Sequence, residues 1–228
     1  MKYYKCVFLG VTLIFLISLI FVFNKDYITM DYSFADIDGD KKQEKVILKN
    51  KIFSKYGSEV IIYSNEGEEL YREDFSDLKP WKIAVGDVDG DGIKEVSIGV
   101  YKETIFHPVM DKRPFIYTFK DNRLHPKWRG SRLSRPFTDY LFYDIDNDGM
   151  DEIVAIEFLK DGQKAINTYK WKGFGFEGFL ESEGYKDIDN LQHRDGLIYV
   201  DVKGQNDSFK GVLKLKDNKL LLERVNKE

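Results

Sequence analysis

One cysteine, Cys6, stands in 228 residues. No intrachain disulfide can form, and no cysteine-based zinc site exists. The three histidines, His107, His125 and His193, show no metal-binding spacing. No long amphipathic helical pattern runs through residues 26–228. Charge is nearly balanced at −4, so nothing in it suggests a nucleic-acid partner. Nucleophile elbows, phosphate-cradling glycine loops, HExxH and Ser/His/Asp arrangements are missing as well.

What is present is aromatic and acidic. There are 17 Phe and 14 Tyr, residue types that half-buried strands use. One long apolar run occurs, Val7–Phe23, behind Lys2 and Lys5 and ahead of Asn24-Lys25-Asp26. Seventeen uncharged residues reach the short end of a spanning helix and exceed a usual signal-peptide core. With no small-residue cleavage site after Phe23, residues 1–25 read as a signal anchor. The basic N-terminus places residues 26–228 outside the cytoplasm. The alternative is a cleaved signal peptide and a secreted domain. A lipoprotein is excluded, because Cys6 precedes the apolar run. Without the first 25 residues the chain has 32 basic and 39 acidic residues, or −7.

Much of that acidity lies in three loops written in one frame. They are Asp36-Ile-Asp38-Gly-Asp40-Lys-Lys42-Gln-Glu44, Asp87-Val-Asp89-Gly-Asp91-Gly-Ile93-Lys-Glu95 and Asp144-Ile-Asp146-Asn-Asp148-Gly-Met150-Asp-Glu152. Acids at positions 1, 3, 5 and 9 converge on a small volume and repel one another unless a cation sits among them. Hard oxygen donors suit Ca²⁺ rather than zinc. Position 7 (Lys42, Ile93, Met150) offers only its carbonyl. An EF-hand is excluded: it needs an acid at position 12 and flanking helices. Here position 12 is Ile47, Ile98 or Ala155, and the flanks favour strands. Lys41 sets the first loop apart, replacing the glycine of position 6. Three bound Ca²⁺ would bring the domain to about −1.

Around the loops the chain repeats itself. Each unit reads strand, acidic loop, strand, strand, hairpin, strand, and the loops start 51 and 57 residues apart. Four such units predict an all-β, propeller-like array of about four four-stranded blades. A closed ring, an open stack of sheets and a ring completed by two chains all stay open. The fourth unit carries a worn loop, Asp187-Ile-Asp189-Asn-Leu191-Gln-His-Arg-Asp195, in which little or no metal binding is expected.

The loop spacing resembles the calcium loops of the FG-GAP and VCBS repeat families, which belong with the integrin α-subunit β-propeller. The first-shell acids match in all three loops, while the FG-GAP signature itself is not visible. The resemblance implies a binding or adhesion scaffold with structural calcium and no chemistry of its own. Two other classes remain: a calcium-dependent polysaccharide lyase or hydrolase on a propeller, and an accessory subunit of a membrane complex.

Outside the loops, the second unit has the longest segments expected to lie outside strands, Lys102–Pro114 and Arg129–Arg135. Lys127, Trp128, Arg129, Arg132 and Arg135 form a basic stretch that could meet an anionic polymer, glycan or protein surface. His107 and His125 could converge for acid–base work. The run Tyr169-Lys-Trp171-Lys-Gly-Phe174-Gly-Phe176 is expected to pack between blades.

Overall fold

The computed structural model describes residues 27–130 and 132–225. The expected anchor lies outside the described residues. Among them no helix is long and apolar enough to cross a membrane.

Among the described residues sixteen strands form four antiparallel sheets, each in sequential order. Blade 1 holds β1 (Tyr27–Ala35), β2 (Glu44–Lys51), β3 (Glu59–Tyr63) and β4 (Glu69–Asp74). Blade 2 holds β5 (Lys82–Gly86), β6 (Glu95–Thr104), β7 (His107–Lys120) and β8 (Arg123–Trp128). Blade 3 holds β9 (Phe137–Tyr143), β10 (Glu152–Phe158), β11 (Lys164–Trp171) and β12 (Phe176–Glu181). Blade 4 holds β13 (Asp187–Arg194), β14 (Leu197–Lys203), β15 (Ser208–Lys216) and β16 (Lys219–Arg224). The expected all-β array of four four-stranded blades is what the chain forms.

A sheet covered on both faces needs apolar residues at every position, whereas one covered on a single face needs them at alternate positions. In β10 of blade 3, Val154 and Ile156 enter the core shared with blade 4. Ile153 and Ala155 enter the core shared with blade 2. In β14 of blade 4, Ile198, Val200 and Val202 are buried, alternating with Tyr199, Asp201 and Lys203. Val46, Leu48, Val60 and Ile62 of blade 1 meet Ile98, Val100 and Phe115 of blade 2 in the third cluster. Three apolar clusters therefore join four blades, and none among the described residues joins blade 4 to blade 1. Blade 4 is polar on its outer face. Blade 1 leaves Tyr32 and Phe34 half-exposed under the Lys45 ammonium.

Polar links lock the blades in register. The Asp31 carboxylate accepts the Ile83 N–H at 2.8 Å between blades 1 and 2. Lys82 pairs with Asp139 at 2.5 Å between blades 2 and 3. Ser97 and Tyr140 hydroxyls meet at 2.8 Å in the same seam.

Two expectations are corrected. Lys102–Pro114 is not loop: β6 and β7 continue as one long hairpin whose turn is Ile105-Phe106, with Thr104 opposite His107. Arg113, fully buried, stiffens it by donating to the carbonyls of Lys102, His107 and Val109. Nor is the worn copy in the fourth unit a loop. Asp187–Arg194 is β13, paired to β14 with a register shift between Asp189 and Gln192. Leu191, standing where the other units have an aspartate, is buried in the core and draws the segment into the sheet.

At the seam of blades 2 and 3, Gly86 lies so close to Phe142 that an added methyl would overlap it. Overpacking of this kind costs about 1–3 kcal/mol. Gly86→Ala is expected to lower the denaturant midpoint accordingly. An unchanged midpoint would mean that this seam is loosely packed.

Candidate metal centres

Each acidic loop joins the first two strands of its blade, and all three share one hydrogen-bond pattern. The position-9 glutamate is buried, with Glu44 2 %, Glu95 1 % and Glu152 1 % exposed. One of its oxygens accepts the N–H of position 2, from Ile37 at 3.0 Å, Val88 at 3.1 Å and Ile145 at 2.9 Å. That residue is buried as well and fixes the loop to the core. The position-1 aspartate accepts N–H groups from further along its own loop, Gly90 and Gly92 onto Asp87 at 2.7 and 2.8 Å. Position 5 accepts the N–H of position 7: Lys42 onto Asp40, Ile93 onto Asp91 and Met150 onto Asp148.

Positions 4 and 6 have left-handed backbone in every loop. At position 6 Lys41 has φ 67°, against 87° for Gly92 and 89° for Gly149. Lysine thus takes the glycine conformation, at a cost of about 1 kcal/mol. The first loop departs from the others in sequence but not in path.

The loops are also stacked. Lys94 N–H donates to the Asp36 carbonyl at 3.0 Å, and Asp151 N–H to the Asp87 carbonyl at 2.6 Å. Asp151 further accepts from Asp87 N–H and from the Lys94 ammonium. The position-7 side chain of each later loop packs on position 4 of the one before. A Cβ on Gly39 would lie 3.1 Å from Ile93, and one on Gly90 would lie 3.0 Å from Met150. Asparagine suffices at position 4 of the third loop, Asn147, because β13 sends no such peg. Ile93 and Met150, expected to offer only their carbonyls, make the contact between loops with their side chains.

Three groups of carboxylates lie close enough to share a cation: Asp36, Asp38 and Asp40; Asp87, Asp89 and Glu95; Asp144, Asp146 and Glu152. Within each, one ligand oxygen per residue lies within 4.8 Å of the others. Glu44, Asp91 and Asp148 stand outside these groups.

Two lysines enter the acids. Lys127 reaches Asp89 at 2.5 Å and Glu95 at 2.6 Å. Lys170 reaches Asp146 at 2.7 Å, Asp148, and Glu152 at 3.4 Å. In the first loop Lys42 turns away to the exposed Glu66. Burial pushes the Glu152 carboxyl up to about 7 and raises those of Glu44 and Glu95. Buried carboxylates in this state favour a proton, an ammonium or a metal ion.

The donor set fits a hard divalent cation. In the third loop Asp146 Oδ1 is buried without a hydrogen-bond donor, and Glu152 Oε1 has only the Lys170 ammonium, 3.4 Å away and out of hydrogen-bond geometry. Such atoms are costly unless something completes them. Asp36, Asp38 and Asp40, with no lysine among them, are the other ready site. A cation in the second and third loops would displace Lys127 and Lys170.

The basic stretch does not form one surface. Lys127 belongs to the second acid cluster. Trp128 packs edge-on against Phe176 at 5.1 Å. Arg135 pairs with the buried Glu157 and with Glu181. Arg129 and Arg132 are exposed. His107 and His125 do not converge. Thr118, the partner of His125, is eleven residues along β7 from His107, about 36 Å at a strand rise of ~3.3 Å. Of the aromatic run, Tyr169, Trp171 and Phe176 pack between blades 2 and 3, and Phe174 is exposed.

No family model and no curated protein matches this chain. Among solved structures it is similar to a rhamnogalacturonan lyase of Bacillus licheniformis, with TM-score 0.51 and 16 % identity. The match covers 86 % of this chain and 42 % of that one, so the chain spans less than half of that protein's length. A likeness at this identity is one of fold, and the fold is the propeller.

Lys170→Met keeps the aliphatic stem and removes the ammonium from three acids. In chelator it is expected to destabilise the protein by about 1–3 kcal/mol, as when one partner of a polar pair is removed. Calcium is expected to restore most of that loss in thermal melts. An equal loss with and without calcium would show that lysine and cation do not share these oxygens.

Proposed function

We propose that this chain is a membrane-anchored, extracytoplasmic calcium-binding propeller of the FG-GAP/VCBS type, serving as a binding or adhesion scaffold. One observation carries the reading: three loops of a single backbone design, each with converging carboxylates, are bonded to one another along one end of the array. Each cation would be held by the three carboxylates that converge in its loop, joined by Glu44, Asp91 or Asp148 and by the carbonyl of position 7. A bound ion there offsets carboxylate repulsion and clamps strand one to strand two of its blade. That is a structural task. The apolar run of residues 7–23 supports anchoring, and outside the cell calcium is abundant enough for sites of ~10⁻⁴–10⁻³ M. The partner is a protein or an anionic glycan.

A second reading is a polysaccharide-acting enzyme, favoured by the fold likeness to a rhamnogalacturonan lyase. The separation of His107 from His125 removes the acid–base pair that this reading would have used. A third, an accessory subunit of a membrane complex, has the anchor in its favour.

Calcium at ten times the dissociation constant adds about 1.4 kcal/mol per site. The melting temperature is expected to rise with calcium and fall with chelator, and Asp89→Ala is expected to reduce that difference. Asp189→Ala, in β13, is expected to leave it intact. A midpoint indifferent to calcium rejects the structural metal. Capture of a cell-surface partner that requires calcium supports the scaffold, and chain-lysing activity on an acidic polysaccharide supports the enzyme.

A further inference from the structure

The two ends of the array differ in chemistry. One end carries the acidic loops. At the other, β1 begins at Tyr27 and pairs with the end of β2, Tyr27 opposite Lys51. The β2–β3 loop and the β6–β7 hairpin turn at this same end, held together by Tyr56 stacked on Tyr101 at 5.6 Å. Their tips are apolar and bare: Phe53 is 95 % exposed, Ile105 92 % and Phe106 90 %. Ile28, at the start of β1, is half-exposed beside them. Lys51 and Lys55 bracket Phe53, and Lys102 precedes the hairpin tip, with Glu103 beside it and Asp111 opposite it as the acids of the hairpin. Large apolar side chains in water are costly, and loop tips are free to be polar, so three bare ones on a single rim call for a partner.

The covalent path indicates which partner. Three residues, 24–26, separate the apolar run from Tyr27. An extended chain covers at most ~3.6 Å per residue, so over the four steps from Phe23 to Tyr27 this end cannot stand more than about 14 Å from the end of that run. Aromatic and aliphatic tips with flanking lysines are what the boundary of an anionic bilayer accepts. At the opposite end, among the described residues, the exposed large apolar tip is Phe174, on the end that carries the acidic loops.

We propose that the rim formed by Phe53, Ile105 and Phe106 rests on the lipid surface from which the chain emerges, and that the acidic loops point away from it. This rests on the anchor reading for its geometry, but the rim has its own test. Full-length chain bearing Cys6→Ser and a nitroxide at Phe53→Cys, Phe106→Cys or, as a control on the opposite end, Asn122→Cys is added to phosphatidylcholine vesicles with and without phosphatidylglycerol. Labels at 53 and 106 are expected to gain collisions with oxygen and lose them with a water-soluble nickel chelate, more so with phosphatidylglycerol. The label at 122 is expected not to change. If 53 and 106 behave like 122, the proposal is overturned. Spin–spin broadening between copies without lipid contact assigns the rim to a second copy and also overturns it. Carbonate extraction of the same vesicles reports on the anchor separately. Extraction of a chain whose rim had been in lipid removes the anchor and keeps the rim. Resistance to extraction with both rim labels in water keeps the anchor and removes the rim.

Discussion

A carboxylate placed in the interior without a counter-charge is the constraint from which the rest of this molecule follows. Glu44, Glu95 and Glu152 are buried because each must reach back to the N–H of position 2 and close its loop. That bond holds the first two strands of a blade at their crossing. It also brings a negative charge next to the aspartates of positions 1 and 3, and the repulsion has to be answered. Lys127 and Lys170 answer it in part for the second and third loops. A divalent cation answers it more completely, with two charges and no side-chain entropy to lose.

If a metal ion takes the oxygens that the ammonium groups now hold, the array would be adjustable. A bound cation would release Lys127 and Lys170 toward the surface. Because Lys94 and Asp151 tie consecutive loops together, a change in one is felt by its neighbour. The acidic end is thus a row of three coupled clamps rather than three separate turns.

The blades and their loops were legible in the sequence because their signals are local. Acids at alternate positions, turn residues and apolar alternation each act over a few residues. The β6–β7 hairpin was not legible. Its segment contains Pro108 and Pro114, which remove ladder donors. Its turn, Ile105-Phe106, has no glycine or asparagine, and neither residue takes the left-handed backbone. β13 was read as a worn loop because Asp187, Asp189 and Asp195 keep the frame, while the burial of Leu191 that overrides it is a tertiary effect. The pairing of Lys127 and Lys170 with the loop acids is hidden for the same reason. Lys127 follows its loop by 32 residues at Glu95, and Lys170 is 22 residues from Asp148. Only strand pairing brings them into the acids. The basic stretch looked continuous along the chain, yet β8 ends at Trp128 and the arginines lie in the connection to β9, so Lys127 and Arg135 reach acids of different blades.

Anomalous diffraction from crystals grown in calcium tests the central claim most directly. The account predicts peaks among the Asp36, Asp87 and Asp144 groups, with the Lys127 and Lys170 ammonium groups swung out of the second and third. Loops that hold their lysines and scatter nothing at saturating calcium would contradict it.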